Sequence, residues 1–482
     1  MKDTDSHRSG ALGAALDGRS LPVAGRHTSP PPGPSPAWWG LPLLRAMRND
    51  YLGFVAQLQR EHGDLTLMRL GRERAYDVFA PEFVRTVLVD HADHLIRWER
   101  GIEVFEQVFG QSVLVTEGET WKRQRRMLQA GFTPRRVSGY AQLMCAAAIE
   151  GLDDALAPGE HEALVDMDAL FTRVTMDVIL RTLFSSPAAR DTGDAAAAVQ
   201  VLSQAAMREM FWPVTLPDWL PLPGKAAKRR ALRTLRQLVG RHIAARRSVV
   251  PQAPRDDLLG MLLELRDEVT GSALSPAEVF DQCMVSFQAG HETTATALLW
   301  WVRLLAEHPG AAQQARLEVD QALAGRQPGA ADLPALPWLT ATLKEAMRLY
   351  PPVPALMTRR VTRDLPVGEY VVPRGAMIRI TPYVIQRDPR LFEQPQAFRP
   401  DRFMPGAPQP ARGAWLPFGT GPRVCLGQHF ALLEMTLVAA LLVQRYEWAL
   451  PAGAPPSEPV LNVTLRPRGG ASLLLKRRTA PF

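Results

Sequence analysis

Apolar positions recur at helical spacing along most of the chain, from about Trp38 to the C-terminus. This periodicity predicts a predominantly helical protein. The clearest predicted helix begins at Ser275, where Pro276 and Glu278 complete a capping box, and it ends before His308. About 32 residues at 1.5 Å rise per residue make a helix of roughly 48 Å. Its middle is apolar around most of its circumference, so we expect it to cross the interior of the protein.

Short β segments with turn residues between them interrupt the helical pattern at three places. Segments of this kind that are bounded by glycine or proline predict strands, and neighbouring segments predict hairpins. The sequence therefore predicts a mainly α protein with small β-sheets, an α+β fold class. The predicted strand pairs are 64–68 with 74–79, Tyr370–Val372 with Met377–Ile380, and a last pair that flanks Gly469 and Gly470.

The N-terminal part differs in composition from the rest of the chain. Residues 1–29 are polar and charged, which predicts a flexible leader. The proline-rich stretch 30–36 predicts a stiff, polyproline-like entry to the folded part. No internal repeat or second linker follows it. We therefore expect one folded unit, residues 30–482, although a length of 482 residues alone would suggest two or three domains.

Composition and charge narrow the functional classes. With 46% hydrophobic residues the chain can bury a large core. Its three cysteines, Cys145, Cys283 and Cys425, form no paired pattern, which argues against disulfides and structural zinc. The net charge of +7 suits an acidic partner, but no zinc finger or basic arm indicates nucleic-acid binding. No apolar run reaches the ~18 residues of a membrane span, and no secretion signal is recognisable, so we expect a cytoplasmic protein.

A glycine-rich stretch around a single cysteine, 418–427, is the most informative segment. A thiolate that binds a metal needs nearby backbone N–H groups, which lower its basicity and tune the metal. Gly421 and Gly427 allow a tight turn and a close approach of the backbone to a flat cofactor. A predicted helix at 430–442 would add the positive potential of its N-terminus at the sulfur of Cys425. A buried, inert cysteine in a glycine loop is the alternative interpretation.

The same segment resembles the haem-binding loop of the cytochrome P450 family, whose pattern is F-x-x-G-x-R-x-C-x-G. All five fixed positions match, at Phe418, Gly421, Arg423, Cys425 and Gly427. The resemblance implies a single large cytochrome P450 fold around a buried haem. It also implies heme b (iron protoporphyrin IX) as the cofactor, with the Cys425 thiolate as the axial iron ligand.

Two further segments fall in the order of this family and imply a structural network. Glu345 and Arg348 lie three residues apart, which places both on one helix face. Such a pair is commonly surface decoration when it stands alone. The segment 398–403 resembles the stretch that precedes the haem-binding loop in the family. The resemblance implies that Glu345, Arg348 and Arg402 form a buried, fully paired network that holds the loop of Cys425.

The centre of the long predicted helix, 289–294, resembles the oxygen-binding stretch of the family. The resemblance implies that Thr293 assists oxygen activation and that Glu292 relays protons. From the residues alone, a threonine hydroxyl can also bond back to the carbonyl four residues earlier and bend the helix locally. The alternative is that Thr293 does only this and that Glu292 is solvated.

The segment 121–126 resembles the W-x-x-x-R helix of the family and implies contacts to the haem propionates. Trp121 and Arg125 are one helical turn apart, and a guanidinium group suits a carboxylate. Arg423 is a second candidate for these contacts. Arg359 is a third, although the adjacent Arg360 is an alternative to it.

The resemblance implies a haem-thiolate monooxygenase, which inserts one oxygen atom from O2 into a lipophilic small molecule by hydroxylation or epoxidation. A fatty acid, a terpenoid or a polyketide intermediate would fit as the substrate. The short stretch after Cys425 leads us to expect no fused reductase, and therefore a separate ferredoxin or flavodoxin with its NAD(P)H-dependent reductase. Lys122, Arg123 and Arg126 are expected to offer a basic docking patch, with an ordinary solvated helix face as the alternative.

Two other functional classes are compatible with the same sequence features. A protein of the same fold could act as a peroxygenase or as a non-oxygenating haem enzyme. Glu292 and Thr293 argue against this, because such chemistry has less need of a proton relay. A haem-binding protein without turnover is the third class.

The expected substrate pocket takes mainly apolar side chains from several parts of the chain, which favours a lipophilic substrate. Aromatic and methionine clusters are more often plain core than pocket wall, so core packing is the alternative for each of them. The candidates are Phe105, Phe109, Phe211, Ala289, Val353 and Leu356.

Overall fold

The structure, a computed structural model, describes residues 29–35, 37–186, 192–211, 216–248 and 257–478. The predicted leader lies outside these residues except for Ser29, and so does Pro36 of the proline-rich entry. Pro32 of that entry lies beside the first strand, where its carbonyl accepts a hydrogen bond from the Leu67 N–H at 2.9 Å. The entry segment therefore packs onto the folded part of the chain.

Helices make up most of the described chain, which confirms the predicted mainly α fold class with small sheets. Apolar stripes at helical spacing hold them together. The α-helices are α1 (Leu41–Asn49), α2 (Tyr51–His62), α3 (Pro81–Arg85), α4 (Glu99–Phe109), α5 (Gly118–Gln129), α6 (Pro134–Gly139), α7 (Ala141–Asp153), α8 (Met167–Phe184), α9 (Thr192–Met210), α10 (Lys225–Ser248), α11 (Leu258–Glu264), α12 (Pro276–Glu307), α13 (Pro309–Leu323), α14 (Pro337–Leu349), α15 (Pro382–Ile385) and α16 (Gln428–Arg445).

The long predicted helix is confirmed as α12, which runs for 32 residues. The Ser275 hydroxyl accepts the Glu278 N–H at 3.2 Å, and the Glu278 carboxylate accepts the Ser275 N–H at 2.8 Å. His308 ends the helix. Most of its length is buried, and it packs against α8, α10, α14 and α16. α12 is therefore the central axis of the helical body.

The short strands are gathered in small, separate sheets. They are β1 (Leu65–Leu70), β2 (Glu73–Val78), β3 (Leu95–Arg97), β4 (Glu162–Asp166), β5 (Arg359–Val361), β6 (Leu365–Val367), β7 (Tyr370–Val372), β8 (Met377–Ile380), β9 (Tyr446–Ala449), β10 (Pro459–Leu461), β11 (Leu465–Pro467) and β12 (Ser472–Arg477). The largest sheet has the order β1-β2-β8-β5-β3, and the others are β4-β12-β9, β6-β7 and β10-β11. The predicted antiparallel pair around Gly71 is confirmed as β1 with β2.

The other two predicted strand pairs are wrong in their partners, although the strands exist. β7 pairs with β6, whereas β8 joins β2 and β5 in the largest sheet. The strands on either side of Gly469 and Gly470 pair with β10 and with β4 and β9, not with each other. β8 and β12 gain partners from distant parts of the chain, β2 and β4 respectively, whereas β7 and β11 each form a short hairpin with the strand just before them.

Two large apolar cores fill the interior, and a third, small cluster joins α1 to β1, β2 and β8. The larger lies among α7, α8, α12, α14 and α16, and the smaller lies against the five-stranded sheet. This packing brings the middle of α12, the start of α16 and one face of α5 around a common cavity. Among the helices of the described ranges, none is both long and apolar enough to cross a bilayer.

Candidate functional site

The loop 418–427 forms a tight turn that leads into the N-terminus of α16. The Cys425 N–H donates to the Phe418 carbonyl at 3.0 Å, and the Val424 N–H donates to the Gly421 carbonyl at 3.0 Å. Gly421 has a φ of +78°, and a Cβ there would lie only 2.0 Å from the Leu88 carbonyl oxygen. Only glycine fits this position. The loop therefore holds Cys425 in one place, immediately before α16.

A cavity of about 270 Å³ lies between this loop, α5, α12 and the start of α16. Its wall is mainly apolar, and the Cys425 side chain opens into it. Such a wall suits a flat, largely apolar cofactor whose polar groups lie at one edge. The lining residues that the sequence singles out are Trp121, Arg125, Ala289, Thr293, Val353, Phe418, Arg423, Cys425 and Gly427.

Cys425 differs from the other cysteines in its surroundings. The surface that Cys425 exposes belongs to the cavity wall. Burial by the surrounding protein raises the pKa of its thiol, while the Gly427 N–H and the Arg125 guanidinium lower it. Cys145 and Cys283 are buried in the core, and burial raises their pKa values to about 11 and about 12. Cys425 is therefore the cysteine with both an open cavity and groups that favour a thiolate.

The middle of α12 contributes two threonines to the otherwise mainly apolar cavity wall. The Thr293 hydroxyl donates to the Ala289 carbonyl at 2.9 Å, and the Thr294 hydroxyl donates to the Gly290 carbonyl at 3.1 Å. These are the back-bonds expected of threonine inside a helix. Gly290 lets α8 approach closely, since a Cβ there would lie 2.8 Å from the Ile179 side chain.

Glu292 lies outside the cavity wall and is buried, so the alternative of a solvated Glu292 is wrong. Its carboxyl group accepts hydrogen bonds from the Ser203 hydroxyl of α9 at 3.0 Å and from the Thr464 hydroxyl at 3.0 Å. Burial raises the pKa of Glu292, and the Arg466 guanidinium opposes this shift. A raised carboxyl pKa suits a group that gives up a proton near neutral pH.

Arginine side chains gather at one edge of the cavity with little negative charge to balance them. Arg97, Arg125 and Arg423 line it, and Arg359 lies near enough to act on the pKa of Glu117. Glu117 pairs with Arg97 at 3.4 Å and with Arg423. The Nε atoms of Arg97 and Arg125 are buried without a hydrogen-bond partner among the described residues. The carboxylates of two haem propionates fit this excess of donors and charge.

Arg423 and Trp121 contact each other directly. The Arg423 guanidinium lies over the Trp121 ring, 4.0 Å from its centroid. Burial lowers the pKa of Arg423 to about 10, so it keeps its charge at neutral pH. Burial also raises the pKa of Glu117 to about 7, although Arg359 opposes this. Glu117 pairs with both Arg97 and Arg423, so its single charge balances only part of the arginine charge at this edge.

Strand β5 separates the two adjacent arginines that the sequence leaves as alternatives. Arg360 forms ion pairs with Glu73 at 2.6 Å and with Glu99 at 2.9 Å. Arg359 points to the opposite face. Burial there lowers the pKa of Arg359, and Glu117 opposes the shift. The structure therefore favours Arg359 as the residue on the cofactor side.

Glu345 and Arg348 form a fully buried pair with hydrogen bonds of 2.7 and 2.8 Å. Arg402 Nε lies 3.5 Å from Glu345 Oε1, so the structure brings the three expected residues together. Arg348 also donates to the backbone carbonyls of Gln386, Pro395 and Ala397. The Gln386 side chain in turn accepts a hydrogen bond from the Leu416 N–H at 2.6 Å, just ahead of the cysteine loop in the sequence.

Some of the apolar residues expected in a substrate pocket line the cavity, whereas others pack in cores. Phe105 stacks on Phe109 with ring centroids 6.0 Å apart, and both pack against the helical core. Phe211 packs beside the cluster of α1 and β1, and Leu356 packs against the smaller core. Contact of these four with a substrate stays a prediction. The other two expected pocket residues, Ala289 and Val353, line the cavity.

The cations of α5 that point away from the cavity are each ion-paired. An acidic partner cancels most of the charge that a distant protein would meet. This favours a balanced helix face over a basic docking patch. The pairs are Lys122 with Glu119 at 2.7 Å, Arg123 with Glu278, and Arg126 with Asp267 at 3.0 Å.

The structure places several residues at the site that the sequence does not single out. Arg97 reaches the cavity because β3 pairs with β5, and no local motif signals this. Ser203 and Thr464 reach Glu292 from distant segments. Glu117, just ahead of α5, could have been noticed as an acid at a helix start. Glu434 of α16 is fully buried, and neither of its carboxyl oxygens makes a hydrogen bond of ordinary length and angle to a described residue.

The sequence of this chain matches known proteins over a range that includes all the residues of this site. A family model described as Cytochrome P450 matches residues 30–475. The chain is 35% identical over 445 residues to Cyclooctatin synthase of Streptomyces melanosporofaciens, covering 90% of this chain and 92% of that protein. It is 34% identical over 439 residues to Cyclooctat-9-en-7-ol 5-monooxygenase of the same organism, with coverages of 88% and 92%. It is 31% identical over 423 residues to Pentalenene oxygenase of Streptomyces avermitilis, with coverages of 86% and 91%.

Proposed function

The chain belongs to the cytochrome P450 family and is a haem-thiolate monooxygenase, and we propose that its substrate is a cyclic terpenoid. We propose hydroxylation of a terpene hydrocarbon or of a terpene alcohol. The observation that carries this proposal is the 34% identity, over 88% of the chain, to a relative named for the monooxygenation of cyclooctat-9-en-7-ol. The mainly apolar cavity wall supports a lipophilic substrate.

We propose that Cys425 is the axial ligand of heme b and that Phe418, Gly421 and Gly427 shape its loop. The propionates would be held by the guanidinium groups of Arg125, Arg359 and Arg423, with Trp121 beside them. When it is bound, heme b supplies the oxygen chemistry: two electrons and two protons are used per O2, one oxygen atom enters the substrate and the other leaves as water. The protein supplies position, protons and a wall that excludes bulk water.

We propose that Thr293 and Glu292 serve the proton supply. The Thr293 hydroxyl faces the cavity, where it can donate and accept hydrogen bonds. Glu292 is the acid behind it, on another face of α12. The Ser203 and Thr464 hydroxyls donate to its carboxyl group, and such donors stabilise the carboxylate that remains after a proton has left.

The family implies a redox partner, and we propose a separate ferredoxin or flavodoxin with its NAD(P)H-dependent reductase. We also propose a cytoplasmic location, where such reductases find NAD(P)H. Residues 30–482 would form one haem domain, as the family match over residues 30–475 supports.

The substrate proposal is tested by titrating purified ferric holoprotein with cyclooctat-9-en-7-ol and with pentalenene. We expect either molecule to displace water from the cavity and to shift the Soret band toward the high-spin position. With a ferredoxin and its reductase, mass spectrometry should then find a product that contains one added oxygen atom. A saturated fatty acid is the control. Turnover of the fatty acid, with no spectral shift or product from either terpenoid, would contradict the proposal.

Changing Arg125 to leucine is expected to weaken haem retention. A hydrogen bond to a charged group contributes about 1.5–3 kcal/mol, so we expect haem affinity to fall about 10–100-fold. The measurement is the rate of haem transfer from holoprotein to apomyoglobin. Lys122→Leu is the matched control, because Lys122 lies on the same helix but pairs with Glu119 on the surface. Equal transfer rates for the two variants would remove Arg125 from the haem contacts.

Changing Thr293 to alanine is expected to leave haem binding intact and to divert electrons to hydrogen peroxide. A positioned proton donor contributes about 10²–10⁴-fold to rate, so product formed per NAD(P)H should fall at least about tenfold. Thr296→Ala is the control, because Thr296 makes the same kind of back-bond, to the Glu292 carbonyl, outside the cavity wall. If both variants kept the coupling of the unchanged protein, Thr293 would have no part in proton supply.

A further inference from the structure

Glu434 is a buried acid that the proposed mechanism does not use. It lies on α16 with none of its surface exposed, and neither carboxyl oxygen makes a hydrogen bond of ordinary length and angle to a described residue, although the Thr294 hydroxyl lies close enough to act on it. A charged carboxylate without partners is very costly in a protein interior, so the group adopts its neutral form. Burial accordingly raises the pKa of Glu434 well above its usual value. An apolar side chain at this position would avoid the cost altogether.

Glu434 lies directly beside residues that form the cavity wall. Its neighbours Ala431 and Met435 on α16 line the cavity wall. On the facing helix α12, the Thr294 hydroxyl also lines that wall and is close enough to lower the pKa of Glu434. Because the Thr294 hydroxyl donates its own proton to the Gly290 carbonyl, its oxygen is left as an acceptor. A protonated Glu434 is the donor that this acceptor lacks.

The two buried acids lie on different sides of one turn of α12. Glu292 belongs to that turn, and Glu434 lies on the neighbouring helix α16. Successive helical residues are about 100° apart, so Glu292 and Thr294 point in nearly opposite directions, with Thr293 between them. Glu292 is held by Ser203 and Thr464 on one side. Glu434 adjoins Thr294 on the other. The reaction uses two protons for each O2, and the fold supplies two acids beside the residue that faces the cavity.

We propose that Glu434 is a second proton donor of the oxygen-activating site, and that it acts through Thr294 independently of Glu292. This inference rests on the proposed function. The Glu434 carboxyl proton passes to Thr294 Oγ1 as the Thr294 hydroxyl turns from Gly290 and releases its own proton into the cavity. The Glu434 carboxylate regains a proton from bulk solvent, conducted by water that enters when the product leaves. No electron is moved in these steps.

Infrared spectroscopy of the holoprotein tests the protonation state without turnover. The unchanged protein should show a carbonyl-stretching band of a protonated carboxylic acid at neutral pH, and Glu434→Gln should remove it. Thr294→Val should keep the band and shift its frequency, because the hydrogen-bond acceptor is lost. A spectrum that is unchanged by Glu434→Gln would overturn the proposal, since Glu434 would then be ionised and unable to donate.

Turnover with cyclooctat-9-en-7-ol, a ferredoxin and its reductase tests proton delivery. Glu434→Gln keeps the shape of the side chain but removes the transferable proton, so product per NAD(P)H should fall at least about tenfold. Thr294→Val should have the same effect, and the double variant should be no worse than either single one, because both act on one path. Combining Glu434→Gln with Glu292→Gln should multiply the losses.

The matched control is Thr436→Val, which removes a buried hydroxyl from the same helix that bonds back to the Leu432 carbonyl. Its coupling should equal that of the unchanged protein. Unchanged coupling in both Glu434→Gln and Thr294→Val would overturn the proposal. If Glu434→Gln fails to fold, the coupling of Thr294→Val and the frequency of its infrared band still test the proposal. Absence of any product from the unchanged protein would instead count against the proposed substrate, and the infrared result would stand apart from it.

Discussion

Replacing Arg348 with leucine is expected to abolish the accumulation of folded, haem-loaded protein. Arg348 is fully buried and donates to Glu345 and to the backbone carbonyls of Gln386 and Pro395. Leucine would leave Glu345 with the more distant Arg402 as its cationic partner. Breaking a buried ion pair in this way costs about 3–5 kcal/mol, and a domain is stable by only about 5–15 kcal/mol in total. The measurements are haem content per chain and the thermal unfolding midpoint.

The control for this variant is Arg468→Leu. Arg468 pairs with Glu458 at 2.9 Å, but both side chains are largely exposed. Exposed pairs contribute about 0–1 kcal/mol, so this variant should keep its haem and its unfolding midpoint. An Arg348 variant that matched the Arg468 variant in both measurements would show that the buried network does not hold the fold.

Replacing Cys425 with serine is expected to abolish monooxygenase turnover. A serine hydroxyl does not supply the thiolate whose electron donation favours cleavage of the O–O bond. Even groups that only support a metal ligand change activity by about 10–100-fold, so loss of the ligand itself should exceed about a hundredfold. The measurement is product formed per haem per minute, with haem content determined separately.

Cys145→Ala is the control for the cysteine variant. Cys145 lies in the core on α7, where its thiol contacts the Pro328 carbonyl. Its loss should cost some stability but leave turnover per haem unchanged. A Cys425→Ser protein that turned over at the rate of the Cys145→Ala protein would exclude Cys425 as the ligand.

Features encoded within a short stretch of sequence could be predicted. The capping box around Ser275, the turn that requires Gly421 and the one-turn spacing of Trp121 and Arg125 each involve neighbours within about ten residues. Local rules of helix capping, turn geometry and helical spacing apply to them directly. The long helix, the fold class and the cavity wall around Cys425 follow from such segments.

Features that depend on contacts between distant segments could not be predicted. The strands at Tyr370–Val372 and Met377–Ile380 look like a hairpin locally, but each finds another partner. The pairing of β3 with β5 brings Arg97 to the cavity, and the 459–467 hairpin brings Thr464 to Glu292. Burial of Glu434 depends on how α16 packs against α12. The apolar residues around Glu434 on α16 favour its burial, but its neighbour Thr294 comes from another helix, which no local pattern indicates.

The most direct test of haem-thiolate ligation by Cys425 is the absorption spectrum of the purified, dithionite-reduced protein under carbon monoxide. The position of Cys425 in the cavity wall, with the Gly427 N–H and Arg125 beside it, predicts the strongly red-shifted Soret band of a thiolate-ligated haem. Cys425→Ser should lose that band, and Cys145→Ala should keep it. A Soret band at the unshifted position in the unchanged protein, or no haem absorption after expression with added haem, would contradict the account.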